Sequence, residues 1–183
     1  MKAGARVLGV AESFSGRHDD DAESVLAGAL VRPDRVVEDF AFGTCSVGGT
    51  DATDAVATLF ARLDREDVRC LLVAGVAPAW FNVVDLGAVA AAVDRPVLSV
   101  SFEDSEGLEP AICEQFDGPA RERRLATYRA LPPRRPVALG TDGEGRDHRV
   151  FVRAVGVDHE RAREVVRSVT PEGGRPEPLR VAR

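Results

Sequence analysis

Residues 70–100, CLLVAGVAPAWFNVVDLGAVAAAVDRPVLSV, decide the fold. The opening five, 70–74, form an apolar run that reads as a buried strand. Residues 86–93 read as an apolar helix, and 96–100 as a second buried strand. Two buried strands joined through a helix predict a parallel βαβ crossover. Between them, residues 75–85 carry Trp80, Phe81, Asn82 and Asp85 on the loop leaving the first strand. Ligands bind outside the carboxyl ends of the strands in an open α/β sheet, so an acid and an amide there mark a candidate site. Two structural readings stand beside that one. Asp85 has the residue type and position of a helix cap, and Trp80 and Phe81 have the bulk of core residues.

Upstream, residues 6–10 read as a short buried strand and 15–21, SGRHDDD, as a polar loop with a solvated acidic run. Residues 24–31 and 35–42 then form an antiparallel pair about the turn Arg32, Pro33, Asp34. The second of these alternates imperfectly, as an edge strand does. Residues 45–50, CSVGGT, break the pattern, and 51–66 follow as a helix striped by Val56, Leu59, Phe60 and Leu63. Asp51 or Thr50 is its predicted cap.

Downstream, 108–116 and 119–130 read as helices, ended by the prolines of 131–136. A turn is expected at 140–146, a strand at 149–155 and a helix at 159–169 capped by Asp158. Residues 173–178 read as a loop, and 179–183 are too short to assign. This order predicts a mixed α/β sheet flanked by helices, and the 183 residues suit one domain, 1–183.

The chain is 44% hydrophobic and 30% charged, enough to bury a core beneath a charged surface. It has no apolar run of about eighteen residues and no secretory leader pattern; the expected compartment is the cytoplasm. Cys45, Cys70 and Cys113 lie too far apart for a CxxC metal pair and argue against a disulfide framework. The three histidines show no ligand spacing. A net charge of −6 weighs against a simple basic nucleic-acid binder. Lys2 is the only lysine, and the remaining cations are arginine. That usage suits a GC-rich, salt-adapted archaeal genome. At high salt the counterion-release advantage of basic patches is largely lost, so an acidic nucleic-acid enzyme is less of a paradox.

The densest basic cluster is Arg121, Arg123, Arg124 and Arg129, with Arg134 and Arg135 beyond. Its planar forks suit phosphate, and Tyr128 is available to stack on a base. A solvated helix face, salted with Glu122, is the competing reading. Trp80 and Phe81 suit a position beside an extruded base. Ser13 and Ser15 have no histidine partner at a recognisable spacing, and no GK[ST] follows Gly48–Gly49, so neither a serine hydrolase nor a phosphate loop is indicated.

Five segments carry a resemblance: GVAESFS at 9–15, VGGTDAT at 47–53, GVAPAWFNVVD at 75–85, RPVLSVSFE at 95–103 and VFVRAVGVDHERA at 150–162. Together they resemble the archaeal family first catalogued as domain of unknown function ninety-nine. The similarity runs over nearly the whole chain, and FNVVD is its most specific part. The resemblance implies the ribonuclease H-like fold of endonuclease V. It also implies a metal-dependent endonuclease acting on DNA with deaminated bases such as deoxyuridine, in repair. Such chemistry uses Mg²⁺ or Mn²⁺ held by oxygen ligands, in two-metal sites about 3.5–4 Å apart.

The family's first strand ends in two aspartates, where this chain has Ala11 and Glu12. Before the helix the family has an acid, here Gly48, and a later acid, here Asp51. Asn82 and Asp85 match outright. Endonuclease V carries a further acid at the end of the central strand, where Ala74 or Gly75 stands here. The resemblance thus implies Glu12, Asp51 and Asp85 as metal ligands and catalytic residues, with Asn82 orienting Asp85 or a water. Arg121, Arg124, Tyr128 and Trp80 are the candidate nucleic-acid contacts. Two other classes stay open: a catalytically decayed relative that binds nucleic acid or a partner, and a small-molecule enzyme of α/β type.

Overall fold

The structure, a computed structural model, describes residues 6–13, 22–141, 147–171 and 174–183. Three strands open it: β1 (Arg6–Ser13), β2 (Glu23–Val31) and β3 (Val37–Ser46). They pair as an antiparallel meander. The expected turn is present; the Arg35 N–H donates to the Arg32 carbonyl at 2.9 Å. The β3 strand runs four residues further than its pattern predicts, because Ala41 and Cys45 alternate into the core while Phe40 and Phe42 stay exposed.

Helix α1 (Ala52–Arg62) leads to β4 (Val68–Ala74), which pairs in parallel with β1. The single turn α2 (Pro78–Phe81) and helix α3 (Leu86–Val93) then lead to β5 (Val97–Ser101), parallel to β4. The expected crossover is therefore present. Two helices follow, α4 (Glu109–Gln115) and α5 (Gly118–Ala130), then β6 (Arg135–Thr141), β7 (Asp147–Val155), α6 (His159–Ser168) and α7 (Glu177–Val181). The sheet has seven strands in the order β3-β2-β1-β4-β5-β7-β6.

Both sheet faces are covered, which explains the unbroken apolar run of β4. Leu71 and Val73 face the core under α1, α3 and α5, with Leu8, Val10, Leu26, Leu59 and Val89. Cys70 and Leu72 face the opposite core with Leu98, Val165, Val166 and Leu179 of α6 and α7. Helix α7 lies directly on β1: a Cβ added to Gly9 would stand 2.3 Å from the Pro178 carbonyl carbon. Only glycine permits that approach.

Two elements had no sequence signal. Strand β6 is a sheet edge with Val137 as its one buried residue, which is why it tolerates Pro136. Helix α7 is a five-residue turn anchored by the buried Pro178 and Leu179. The predicted helix over 51–66 stops at Arg62, and Asp64 enters the left-handed region at φ 47°. The polar loop expected at 15–21 lies outside the described residues, as do 142–146 of the expected turn. No helix among the described residues is long and apolar enough to cross a membrane.

Candidate functional site

The carboxyl ends of β1, β4 and β5 open onto a cleft of about 750 Å³. Glu12, Trp80, Glu103, Arg134, Arg153 and Arg175 are among the side chains lining it. At its base stand Ala11, near the carboxyl end of β1, and Ala74, the last residue of β4. Both belong to an apolar cluster with Ala29, Val31, Val181 and Ala182. One first-strand position where the family carries an aspartate, Ala11, and one candidate for the central-strand acid of endonuclease V, Ala74, are thus methyl groups roofed by α7 and the residue that follows it.

The cleft wall is cationic. Arg134 Nε donates to Ser101 Oγ at 3.1 Å and its Nη1 to the Ser105 carbonyl at 2.9 Å. Nη2 donates to the Glu103 carbonyl, and the guanidinium stacks 4.0 Å over Phe151. Arg153 donates to the Pro132 carbonyl and, at 3.1 Å, to Tyr128 Oη. Arg175 stacks 4.2 Å over Phe102. The acceptors of Arg134 and Arg153 are carbonyls and hydroxyls, and among the described residues none of the three arginines forms an ion pair. Their charge is oriented by carbonyls, hydroxyls and aromatic faces.

FNVVD works as two joints behind the cleft. Asn82 is wholly buried. Its Oδ1 accepts from the Ala52 N–H at 2.9 Å, and its Nδ2 donates to the Ser46 carbonyl at 2.9 Å and Asp51 Oδ1 at 2.6 Å. Asp51 occupies the cap position of α1 without capping it. It turns instead to Ser46, accepting from its N–H at 3.1 Å and its Oγ at 2.9 Å. Burial pushes the Asp51 carboxyl up, but the bonds from Asn82 and Ser46 outweigh it and hold the group below the usual carboxylate range. Asn82 therefore orients Asp51, where the resemblance implied Asp85 or a water.

Asp85 is the cap of α3: its Oδ1 accepts from the Gly87 and Ala88 N–H groups at 2.9 and 3.0 Å. It lines a separate cavity of about 330 Å³ beside Thr50, Thr53 and Arg123. Glu12 lines the cleft and accepts from Ser24 Oγ at 2.9 Å. Burial, helped by the charges of Asp51, Glu12 and Glu23, pushes the Cys45 thiol up to about 12.

Glu12, Asp51 and Asp85 thus face three different hollows. Among the described residues no group of three His, Cys, Asp or Glu side chains is arranged to hold a metal ion. The donor set expected for Mg²⁺ or Mn²⁺ does not fit such an ion here. Asp51 is committed to Ser46 and Asn82, Asp85 to a helix end, and methyl groups stand at Ala11 and Ala74.

Of the expected nucleic-acid contacts, two are internal. Arg124 is 5% exposed. It donates to the carbonyls of Phe81 at 3.1 Å, Ala120 at 2.9 Å and Gly49 at 3.2 Å, and to that of Gly48. It stacks 3.9 Å over Phe116, and burial lowers its pKa. Tyr128 is buried, and its Oη also accepts the Leu108 N–H at 3.1 Å. Neither is offered to solvent as a helix-face reading requires. Arg121 is on the surface, 3.8 Å from Asp117. Trp80 is 39% exposed at the cleft. Arg153 and Arg175 were not singled out by sequence; the one signal was an arginine interrupting the apolar strand β7.

The sequence profile of the endonuclease dU family matches residues 3–183. The chain belongs to the endonuclease dU family. A UPF0215 protein of Pyrobaculum aerophilum is 35% identical over 177 residues, covering 96% of this chain and 89% of that protein. A crystal structure of a protein of unknown function from Archaeoglobus fulgidus superposes with a TM-score of 0.79 at 23% identity, covering 97% of this chain and 94% of that one. Endonuclease V of Ciona intestinalis, solved with a 24-mer DNA containing an inosine, superposes at 0.59 and 14% identity, covering 97% and 82%. The mixed sheet of this endonuclease dU family member is therefore the ribonuclease H-like one expected.

Proposed function

We propose that this endonuclease dU family member binds DNA across the strand-end cleft, and that the cleft holds phosphate by arginine in place of a metal centre. One observation carries the reading: methyls stand at Ala11 of β1 and Ala74 of β4 where acids were expected, in a cleft shared by three arginines that form no ion pair among the described residues. In a chain of net charge −6, such arginines concentrate positive potential in one hollow, and guanidinium forks match phosphate oxygens. A DNA complex of an endonuclease V with this fold supports the choice of ligand.

A second reading has its own support. It is the Mg²⁺- or Mn²⁺-dependent endonuclease of DNA repair, hydrolysing phosphodiesters at deoxyuridine or another deaminated base. The family name and the presence of Glu12 and Glu103 in one cleft favour it.

Labelled single-stranded and duplex DNA, with and without uracil, separates the two. Binding is followed by anisotropy, and nicking by denaturing gel with either metal. The first reading expects binding that an Arg134→Gln, Arg175→Gln double variant weakens at least about tenfold, each lost charged bond being worth roughly 1.5–3 kcal/mol, and no nicking. Metal-dependent nicking of the uracil strand that Glu12→Gln abolishes would overturn it in favour of the second. Absence of binding to any DNA overturns both.

A further inference from the structure

We propose that Trp80 is a stacking platform for an unpaired DNA base, held at the cleft by a strained turn. The proposal rests on the cleft being a DNA site and assigns it a base-recognition element.

Ala79, Trp80 and Phe81 have φ values of 46°, 57° and 57°. Three successive non-glycine residues in the left-handed region are rare, because each Cβ crowds the following carbonyl. Such strain persists only where the surroundings impose it. Here they do. The Gly48 N–H donates to the Ala79 carbonyl at 2.7 Å, and buried Arg124 donates to the Phe81 carbonyl at 3.1 Å. Phe81 meets Phe116 edge-on at 5.9 Å, with Arg124 beneath Phe116.

The effect of this bracing is selective. Ala79 is 1% exposed and Asn82 is fully buried, whereas Trp80 is 39% exposed. It stands edge-on to Phe81 at 5.4 Å. Packing alone does not call for a strained turn that leaves the largest ring of the chain at the surface. Trp80 shares its cleft with Arg134, Arg153 and Arg175. An aromatic face with guanidinium groups beside it is the pattern that holds single strands, the ring taking a base and the cations the backbone.

Trp80 is the only tryptophan, so tryptophan emission reports on this ring alone. A labelled single-stranded thymidine oligonucleotide and an equal-length strand of abasic sites are titrated separately, and anisotropy and emission are read together. The intact strand is expected to quench Trp80 as it binds; the abasic strand is expected to bind more weakly without quenching. Trp80→Ala is expected to bind the intact strand roughly 5- to 150-fold more weakly and the abasic strand as wild type does, with Trp80→Phe between. Circular dichroism of each variant reports folding, and the emission arms need no variant. Binding of the intact strand with unchanged emission, or equal quenching by both strands, overturns the stacking role and leaves the cleft reading standing. No binding of either strand overturns both.

Discussion

Asn82 meets three polar partners from a side chain with no exposure: the Ala52 N–H, the Ser46 carbonyl and Asp51 Oδ1. Asn82→Ala leaves a buried donor and acceptor unmet. At roughly 1–3 kcal/mol for each unsatisfied group, the expected loss is about 3 kcal/mol, read as a lower urea midpoint. A loss under about 0.5 kcal/mol, the range of an ordinary surface change, would show that the amide is not the joint described. Asp51 adds a pH dependence. Its folded pKa lies below the unfolded value because Asn82 and Ser46 favour the carboxylate despite burial. The stability this gives is present above the unfolded pKa of about 3.9 and is lost as pH falls through the folded value. The stability difference between wild type and Asp51→Asn should therefore shrink as pH is lowered from neutral toward that range. A difference constant over that interval would remove Asp51 from the linkage.

At the scale of elements, FNVVD sets two helices in place: Asn82 docks on the start of α1, and Asp85 caps α3. Asp85→Ala should cost about 1 kcal/mol and Asp85→Ser much less, as for other caps, with DNA affinity in the cleft unchanged. A large fall in affinity without loss of stability would instead return Asp85 to the ligand role. The ends of α3 were legible in sequence because an apolar helix lay between a capping acid and Asp94–Arg95–Pro96. The parallel pair was legible because both of its faces are buried. Strand β6 was not, since one buried valine leaves no alternation to read. Helix α7 depends on tertiary contact, with its Leu179 buried against strand residues of the core. The left-handed turn of α2 contains no glycine to announce it. Asp85 and Asn82 stood out as unusual, but residue type alone does not distinguish a metal ligand from a cap or an orienting amide from a buried strut.

Across the whole molecule, an acidic protein is asked to hold a polyanion. Arg134 precedes β6, Arg153 lies within β7 and Arg175 precedes α7, so only the fold brings them to one cleft. That dispersal is why the sequence, searched for a local basic cluster, pointed to α5 instead, where Arg124 turned inward. The electrostatic consequence is measurable. Each phosphate neutralised on a single strand contributes a slope of about −0.7 to log K against log salt. If the three arginines each engage one phosphate, the slope should be about −2, and Arg175→Gln should reduce its magnitude by roughly 0.7. Arg121→Gln, in the first turn of α5, outside the cleft lining and paired to Asp117, should leave the slope unchanged. A steep slope abolished by Arg121→Gln and indifferent to Arg175→Gln would move the DNA to the α5 surface. A slope near zero would show that the cleft's charge is not what holds DNA. The small number of contacts also bears on salt adaptation. With about three counterions released rather than eight or ten, affinity falls only about a hundredfold for each tenfold rise in salt. Base stacking on Trp80, which is not a charge interaction, would then carry a growing share of the binding as salt increases.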